Sequence, residues 1–188
     1  MRVIAGSAKG TRLVRAPHGV RPVSDRVREG LFSSLADRVH DAHVLDLFAG
    51  TGALGIEALS RGASDAVLVD RSPQALAAVR DNLARTGLED RARVVRSEVR
   101  RFLERAGDRE REFGLVFVDP PYELGGPRLD AVLGLLGSSA LLSDGAAVVL
   151  TRGSRNHSVV IPIHWAVARR LAYGDSVVTL FRSRNLEV

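Results

Sequence analysis

From residue 44 onward, short, mostly apolar runs alternate with helical segments, and this alternation limits the possible folds more than any other feature. The runs lie at Val44–Phe48, Ala66–Val69, Val94–Val95, Leu115–Val118 and Ala146–Leu150. Their continuous apolar character predicts strands that are covered on both faces, as in a parallel sheet. Alternation of such strands with helices predicts a doubly wound α/β fold.

The two ends of the chain depart from this alternation. Residues 165–172 and 176–181 are candidate strands joined only by Tyr173, Gly174 and Asp175. Because so short a link cannot make a parallel crossover, we expect an antiparallel last strand in a seven-stranded, mostly parallel sheet. At the other end, residues 2–5 and 11–14 are extended pieces around a glycine-containing loop. This pattern predicts an N-terminal β-hairpin.

The net charge of the chain comes from its first 21 residues. The whole chain has 27 basic and 22 acidic residues, a net charge of +5. The N-terminal stretch contains five of the basic residues and no acidic one: Arg2, Lys9, Arg12, Arg15 and Arg21. A basic segment on a neutral domain is typical of proteins that bind a polyanion. We therefore expect a basic extension over residues 1–21 and a main domain over residues 22–188, with a solvated arm that has no partner as the alternative.

Other features of the sequence exclude several classes of protein. The chain contains no cysteine, which excludes disulfide scaffolds, thiolate zinc sites and cysteine nucleophiles. Its five histidines show no metal-ligand spacing, so we expect no metal site. The N-terminus lacks the apolar core of a signal peptide, and the longest uncharged apolar stretch is shorter than the roughly 20 residues of a membrane span. A cytoplasmic protein without membrane contact is expected.

A glycine pattern follows the first strand. Gly50, Gly52 and Gly55 form G-x-G-x-x-G between a strand and a helix, as in the dinucleotide-binding fingerprint. Glycines let the backbone approach a ligand closely, and the helix N-terminus supplies a positive field. Asp70, at the end of the second strand, is placed to accept hydrogen bonds from ribose hydroxyls. The pattern predicts a cofactor that contains adenosine, which both NAD and S-adenosylmethionine (SAM) do.

Asp46 distinguishes between NAD and SAM as the cofactor. It lies four residues before Gly50, at the edge of the sheet where the cofactor is expected. A carboxylate would repel the pyrophosphate of NAD but attract the amino and sulfonium groups of SAM. The sequence therefore favours SAM.

The fourth strand ends in Asp119, Pro120, Pro121 and Tyr122, the most specific motif of the chain. Two prolines in succession stiffen the loop and remove two backbone donors. The Asp119 carboxylate and the Pro120 carbonyl can each accept one hydrogen of an exocyclic amine, which directs the nitrogen lone pair toward a methyl donor. Tyr122 offers a flat face for a base that has left its stack. A rigid turn with an exposed aromatic residue is the alternative.

Together, these motifs resemble the class I SAM-dependent methyltransferases that modify exocyclic amines of bases. More closely, the chain resembles the RsmD-type 16S ribosomal RNA guanine-N2 methyltransferases, class I enzymes with a Rossmann-like fold. The matching blocks are Arg2–Gly6 with Lys9–Gly10, Arg21–Glu29 with Leu31–Phe32, Asp46–Gly52 and Asp119–Tyr122. The N-terminal blocks distinguish this family from general adenine methyltransferases.

The resemblance implies a role for each matching residue. It implies that Asp119, Pro120, Pro121 and Tyr122 hold the target guanine. It implies that the basic residues of the N-terminus bind ribosomal RNA, and that the chain acts as a monomer on 16S rRNA within a small-subunit assembly particle. It implies that SAM is bound by Ser24, Arg28, Asp46, Phe48, Ala49, Gly50, Gly52, Asp70, Arg71, Ser97 and Glu98.

The chain departs from the family pattern at three places. The family more often has glutamate at the ribose position, where this chain has Asp70. Where the family has an acidic or amide residue next to the adenine, this chain has Ser97 and Glu98, and either one is a candidate. The region from Ser154 onward matches only loosely.

Three other functions remain as alternatives. A DNA adenine-N6 methyltransferase would use the same Asp-Pro-Pro-Tyr loop, so the choice of guanine rests on the resemblance alone. An NAD-dependent oxidoreductase would use the glycine loop and leave the Asp-Pro-Pro-Tyr loop without a role. A non-catalytic RNA-binding module would use only the basic N-terminus.

Overall fold

The computed structural model describes residues 1–14, 24–106, 111–121, 123–154 and 159–183. Within these ranges the strands are β1 His43–Leu47, β2 Asp65–Asp70, β3 Ala92–Arg96, β4 Phe113–Val118, β5 Leu142–Gly153, β6 Trp165–Tyr173 and β7 Ser176–Ser183. The α-helices are α1 Asp25–Leu35, α2 Ala53–Ser60, α3 Pro73–Thr86, α4 Val99–Ala106 and α5 Gly126–Ser138. Short 3-10 turns lie at Ala36–Arg38 and Glu89–Arg91.

The seven strands form one sheet in the order β3-β2-β1-β4-β5-β7-β6. Strands β1 to β5 pair in parallel, whereas β7 lies antiparallel between β5 and β6. This confirms the predicted mostly parallel sheet with an antiparallel last strand. The chain proceeds outward from β1 to β3 and then crosses back to β4 on the other side of β1. Such a reversal opens a crevice at the carboxyl ends of the strands, where α/β sheets bind ligands.

Two hydrophobic clusters, one on each face of the sheet, form the core. Helices α1, α2 and α3 pack on one face, and α4 and α5 pack on the other. Neighbouring residues of β4 enter opposite clusters, because Leu115 and Phe117 join one and Val116 and Val118 join the other. Both faces of the central strands are therefore buried, which explains their continuous apolar sequence.

Helix α3 shows how the local sequence sets the ends of an element. The Ser72 hydroxyl accepts a hydrogen bond from the backbone N–H of Ala75 at 3.2 Å, and Pro73 is the first helical residue. At the other end, Gly87 has a φ of 64°, in the left-handed region that glycine adopts without steric cost. Because the Ser72 cap fixes where α3 begins, it also fixes the short turn between Asp70 and the helix.

The N-terminal segment, residues 1–14, is a hairpin-like loop. The backbone N–H of Val3 donates to the Thr11 carbonyl at 3.0 Å, and that of Gly10 donates to the Val3 carbonyl at 2.9 Å. The predicted pairing is therefore present, but it consists of one isolated bridge between Arg2 and Arg12 in place of regular strands. Three side chains of the segment are buried in the cluster beside α1 to α3: Val3, Ala8 and Leu13.

Glu57 of α2 anchors the N-terminal segment to the rest of the protein. Its two carboxylate oxygens accept hydrogen bonds from the backbone N–H groups of Ile4 at 2.8 Å and Ala5 at 3.1 Å. Glu57 is fully buried, and Arg28 and Arg61 lie within 3.4 and 2.7 Å of the same oxygens. A buried charge requires such partners. One carboxylate therefore joins the N-terminal segment, α1 and α2.

Along the described ranges, no helix is both long and apolar enough to cross a membrane. The same ranges contain no group of three or more His, Cys, Asp or Glu side chains placed to hold a metal ion.

Candidate active site

A cavity of about 590 Å³ opens at the carboxyl ends of the central strands. Its walls come from the segments that follow β1 to β4, from the end of β5, from the start of α1 and from the turn between β6 and β7. These segments meet where the strand order reverses, as expected for the ligand site of an open α/β sheet. The volume lies within the roughly 300–1,000 Å³ of sites for small molecules and cofactors.

The glycine loop forms one wall of this cavity. Phe48 and Gly50 have φ angles of 63° and 56°, and a positive φ at a bulky residue such as Phe48 is a strained conformation often found at functional sites. The backbone N–H of Gly50 donates to one Asp70 carboxylate oxygen at 2.9 Å, and that of Ser72 donates to the other at 2.8 Å. Phe48, Ala49, Gly50 and Asp70 all line the cavity.

Asp46 lies in the same wall, near the end of β1. Its side chain is 1% exposed, and one oxygen accepts a hydrogen bond from the backbone N–H of Gly55 at 2.9 Å. Burial raises the pKa of Asp46 to about 8, and the carboxyl groups of Asp119 and Asp70 add to the rise, which the Gly55 bond opposes. A neighbouring cation stabilises the ionised form of such a carboxyl group. The wall therefore favours a ligand that brings a positive charge.

Asp119 follows β4 and faces the cavity. Its side chain keeps some exposure toward the cavity, while protein surrounds it on its other sides, and this burial raises the pKa of Asp119 to about 7. The nearby Thr151 hydroxyl lowers the pKa of Asp119. The hydroxyl has no partner in hydrogen-bond geometry within the described ranges.

The two prolines after Asp119 also line the cavity. Neither Pro120 nor Pro121 has a backbone N–H, so the loop offers only acceptors to a ligand at this point. Tyr122 lies outside the described residues.

Other predicted cofactor residues divide into two groups. Ser24, Arg71 and Glu98 line the cavity, whereas Gly52 and Ser97 do not. Gly52 precedes α2 with a φ of 76°, and a β-carbon there would press on the packed side chains beneath it. The Ser97 hydroxyl donates to the Glu98 carbonyl at 3.0 Å. Of the two candidates after β3, Glu98 is therefore the one that lines the cavity, and one of its carboxylate oxygens accepts a hydrogen bond from the backbone N–H of Arg101 at 3.0 Å.

Arg28 does not line the cavity. Its side chain is fully buried, and its guanidinium donates to the carboxylates of Glu57 at 3.4 Å and Asp25 at 2.7 Å, and to the Arg2 carbonyl at 2.6 Å. These acceptors direct Arg28 toward the N-terminal segment. Arg26, two residues earlier, lines the cavity in its place.

Several lining residues were not named as ligand contacts by the sequence analysis, among them Arg26, Arg128, Thr151 and Tyr173. Thr151 directly follows the apolar run at residues 146–150, so the rule that ligands bind at the carboxyl ends of strands could have found it. Tyr173 gives no such local signal, because it reaches the cavity only through the turn between β6 and β7.

The three predicted RNA-binding residues that the structure describes do not line this cavity. Arg2, Lys9 and Arg12 are exposed on the N-terminal segment and form no ion pair with any described residue. Arg15 and Arg21 lie outside the described residues.

A family model described as "Conserved hypothetical protein 95" matches residues 1–182 of the chain. The chain is similar to Ribosomal RNA small subunit methyltransferase D of Escherichia coli strain K12, with 37% identity over 183 residues that cover 97% of this chain and 89% of that protein. It is also similar to YlbH of Bacillus subtilis strain 168, with 36% identity over 190 residues that cover 98% of this chain and 100% of that protein. The solved structure of yhhF from Escherichia coli superposes with a TM-score of 0.86 at 37% identity and covers 98% of each chain. The chain therefore belongs to this family, the RsmD-type methyltransferases that its sequence motifs resemble.

Proposed function

We propose that this protein transfers a methyl group from SAM to the exocyclic N2 of a guanine in 16S ribosomal RNA. One observation carries the proposal: Asp119 and Pro120, which suit an exocyclic amine, face the same cavity as Asp46, which suits a cationic cofactor. The relative from Escherichia coli named as a small-subunit ribosomal RNA methyltransferase supports this choice of substrate.

The residues of the cavity fit SAM. Asp46 would lie beside the positively charged methionine half, since its buried carboxyl group gains most from a nearby cation. Asp70 would accept the ribose hydroxyls, because its oxygens keep free lone pairs after the bonds from Gly50 and Ser72. Glu98, which lines the cavity after β3, would accept a hydrogen bond from the adenine amine. When bound, SAM supplies an electrophilic methyl group.

Asp119 and Pro120 would prepare the amine for methylation. Their oxygens can each accept one N–H of the exocyclic amine, which reduces the delocalisation of the nitrogen lone pair into the base and directs it at the electrophilic methyl group. Methylation makes the amine acidic, so a proton leaves the nitrogen after the new N–C bond forms, and Asp119 or water takes it. Tyr122 would stack on the base, a contact worth roughly 1–3 kcal/mol.

Ribosomal RNA would be held by the basic N-terminal extension, residues 1–21. Arg2, Lys9 and Arg12 are exposed to solvent, and Arg15 and Arg21 continue the same basic stretch in the sequence. Residues 22–188 would form the methyltransferase domain, which would act as a monomer on a small-subunit assembly particle in the cytoplasm. Cationic side chains of this kind bind phosphates in any sequence, so the choice of guanine would be made in the cavity.

The structure also bears on the alternatives. An NAD-dependent oxidoreductase is disfavoured, because the buried Asp46 carboxyl group would lie against a pyrophosphate. A DNA adenine-N6 methyltransferase would use the same Asp119–Tyr122 loop, so experiment must distinguish that function from the one proposed.

The decisive experiment is methyl transfer from labelled SAM into ribosomal particles that lack the modification, followed by nucleoside analysis. We expect label in N2-methylguanosine from 16S RNA, and no label with an Asp119→Ala variant of the enzyme. Label in N6-methyladenosine of DNA, or calorimetric binding of NAD in preference to SAM, would contradict the proposal.

A further inference from the structure

Thr151 is a buried polar residue in the cavity wall that the proposed mechanism does not use. Its side chain is 6% exposed, and it lines the cavity near the carboxyl end of β5. Its hydroxyl oxygen has no hydrogen-bond partner within the described ranges. Buried hydroxyl groups nearly always have a partner, so an unpaired one at a cavity wall points to a partner that enters with a ligand.

The sheet register places Thr151 beside Asp119. Val118 of β4 pairs with Leu150 of β5 in parallel, so the next residues along the two strands are neighbours at the mouth of the cavity. The influence of the Thr151 hydroxyl on the pKa of Asp119 agrees with this proximity. A ligand group held by Asp119 would therefore bring its adjoining atoms close to Thr151.

The hydroxyl also supplies what the neighbouring loop lacks. Pro120 and Pro121 have no backbone N–H, and an ionised Asp119 can only accept hydrogen bonds. A threonine hydroxyl can both donate and accept. In guanine, the amine at C2 is flanked by the N1–H donor and the N3 acceptor, and a hydroxyl can pair with either.

We propose that Thr151 is a further substrate-contacting residue, whose hydroxyl hydrogen-bonds the ring nitrogen next to the amine that Asp119 and Pro120 hold. This inference rests on the proposed function. Asp119 and Pro120 would hold the amine, and Thr151 would fix how the base is rotated within its own plane. It also explains why a polar group occupies a position that an apolar side chain of the same shape could fill.

The test compares Thr151→Val, which keeps the shape and removes the hydroxyl, with Thr151→Ser, which keeps the hydroxyl. We expect Thr151→Val to lower kcat/KM for the ribosomal substrate by about 5- to 10-fold, as for loss of one neutral hydrogen bond. The dissociation constant for SAM should change less than twofold, and the Tm should not fall, because an unpaired buried hydroxyl is replaced by a methyl group. Thr151→Ser should retain most of the wild-type kcat/KM.

Two results would overturn the inference. One is a Thr151→Val variant with wild-type kcat/KM. The other is a loss of activity that disappears at high pH, because Thr151 would then act only through the ionisation of Asp119. The wild-type enzyme, assayed in parallel, tests the proposed function separately. If it methylates a different nucleic acid, the same variants are compared on that substrate, where the same loss is expected.

Discussion

At the scale of single residues, two carboxyl groups that line the cavity have different environments. Asp46 is almost fully buried in the cavity wall and accepts a hydrogen bond from the Gly55 N–H, whereas Asp119 is only partly buried and faces the cavity. The environment of Asp46 suits a cationic ligand, and that of Asp119 suits a substrate group that donates a hydrogen bond. Their raised pKa values therefore lead to different pH effects.

The pKa of Asp46 leads to a prediction about stability. It is raised from 3.8 to about 8 in the folded protein, so the folded state binds this proton more tightly than the unfolded state. The stability that the proton contributes is complete below about pH 4 and is lost as the pH rises toward 8. Asp46→Asn, whose amide oxygen can still accept from Gly55, should raise the Tm by several degrees at pH 9 and little at pH 5.

Thermal unfolding at the two pH values checks this, with Asp81→Asn on the exposed face of α3 as the matched control. An equal gain for both variants, or a larger gain at pH 5, would contradict it.

The same Asp46→Asn variant should bind SAM more weakly, because the carboxylate that faces the cation is gone. Wild-type affinity for SAM should rise as the pH approaches 8, for the same reason.

The pKa of Asp119 leads to a prediction about catalysis. Because burial raises it to about 7, kcat/KM for the nucleic-acid substrate should increase as the pH rises through 7 and then level off. Asp119→Ala should abolish turnover and leave the affinity for SAM within a few-fold, since the proposed contact of the side chain is with the base and not with the cofactor. Steady-state kinetics from pH 5.5 to 9 and calorimetry with SAM measure both effects. Near-normal turnover of the variant would exclude the proposed role.

At the scale of elements, the contact of α1 with the β6–β7 turn shapes one side of the cavity. Gly30 lies in the middle of α1, where glycine costs up to about 1 kcal/mol relative to alanine. A β-carbon at Gly30 would overlap the hydroxyl of Tyr173, which itself lines the cavity. The glycine therefore permits a close approach between two elements that are remote in sequence.

This contact predicts that Gly30→Ala changes the Tm in opposite directions in the two backgrounds of a double-mutant cycle. Gly30→Ala should lower the Tm of the wild-type protein, because Tyr173 must move. In a Tyr173→Ala background the same Gly30→Ala change should raise the Tm, because only the gain in helix propensity of up to about 1 kcal/mol remains. Thermal unfolding of the four proteins measures the cycle. The same sign in both backgrounds would show that Tyr173 does not restrict residue 30.

At the scale of the whole molecule, the basic N-terminal segment belongs to the same body as the cofactor site. Glu57 binds the backbone of Ile4 and Ala5. The fully buried Asn82 accepts from the Val14 N–H at 2.6 Å and donates to the Thr51 carbonyl of the glycine loop at 2.9 Å. Deletion of residues 1–14 should therefore lower the Tm, whereas substitution of exposed side chains in the segment should not.

Those exposed side chains carry a prediction about RNA binding. Replacing Arg2, Lys9 and Arg12 together by alanine should weaken RNA binding. The slope of log K against log salt concentration should become less steep by up to about two or three units, because each lost phosphate contact removes roughly 0.7 to 0.9. The affinity for SAM should be nearly unchanged. Binding titrations at several salt concentrations give the slope.

The matched control removes the same charge from α4, by replacing Arg100, Arg101 and Arg105, all exposed. If the control variant flattens the slope and the N-terminal variant does not, the RNA is held beside α4 and the assignment to the N-terminal segment is wrong.

The sequence by itself determined the elements and their order. Strand β4 was found because its apolar run marks a strand buried on both faces, and the ends of α3 follow from Ser72, Pro73 and Gly87, which act within their own turns. The glycine loop and the Asp119 loop were located for the same reason, since each is a short motif at the end of a strand. Burial periodicity and capping are local properties, which is why a single chain reveals them.

Only the tertiary structure decided which side chains reach the cavity. Ser24 and Arg28 lie one helical turn apart, yet Arg28 is directed away by Glu57, 29 residues further along the chain. Thr151 reaches Asp119 through the register of β4 and β5, and Tyr173 reaches α1 through the last pair of strands. The direction of a side chain depends on partners that are distant in sequence, and these become neighbours only when the sheet and its two helical layers are assembled.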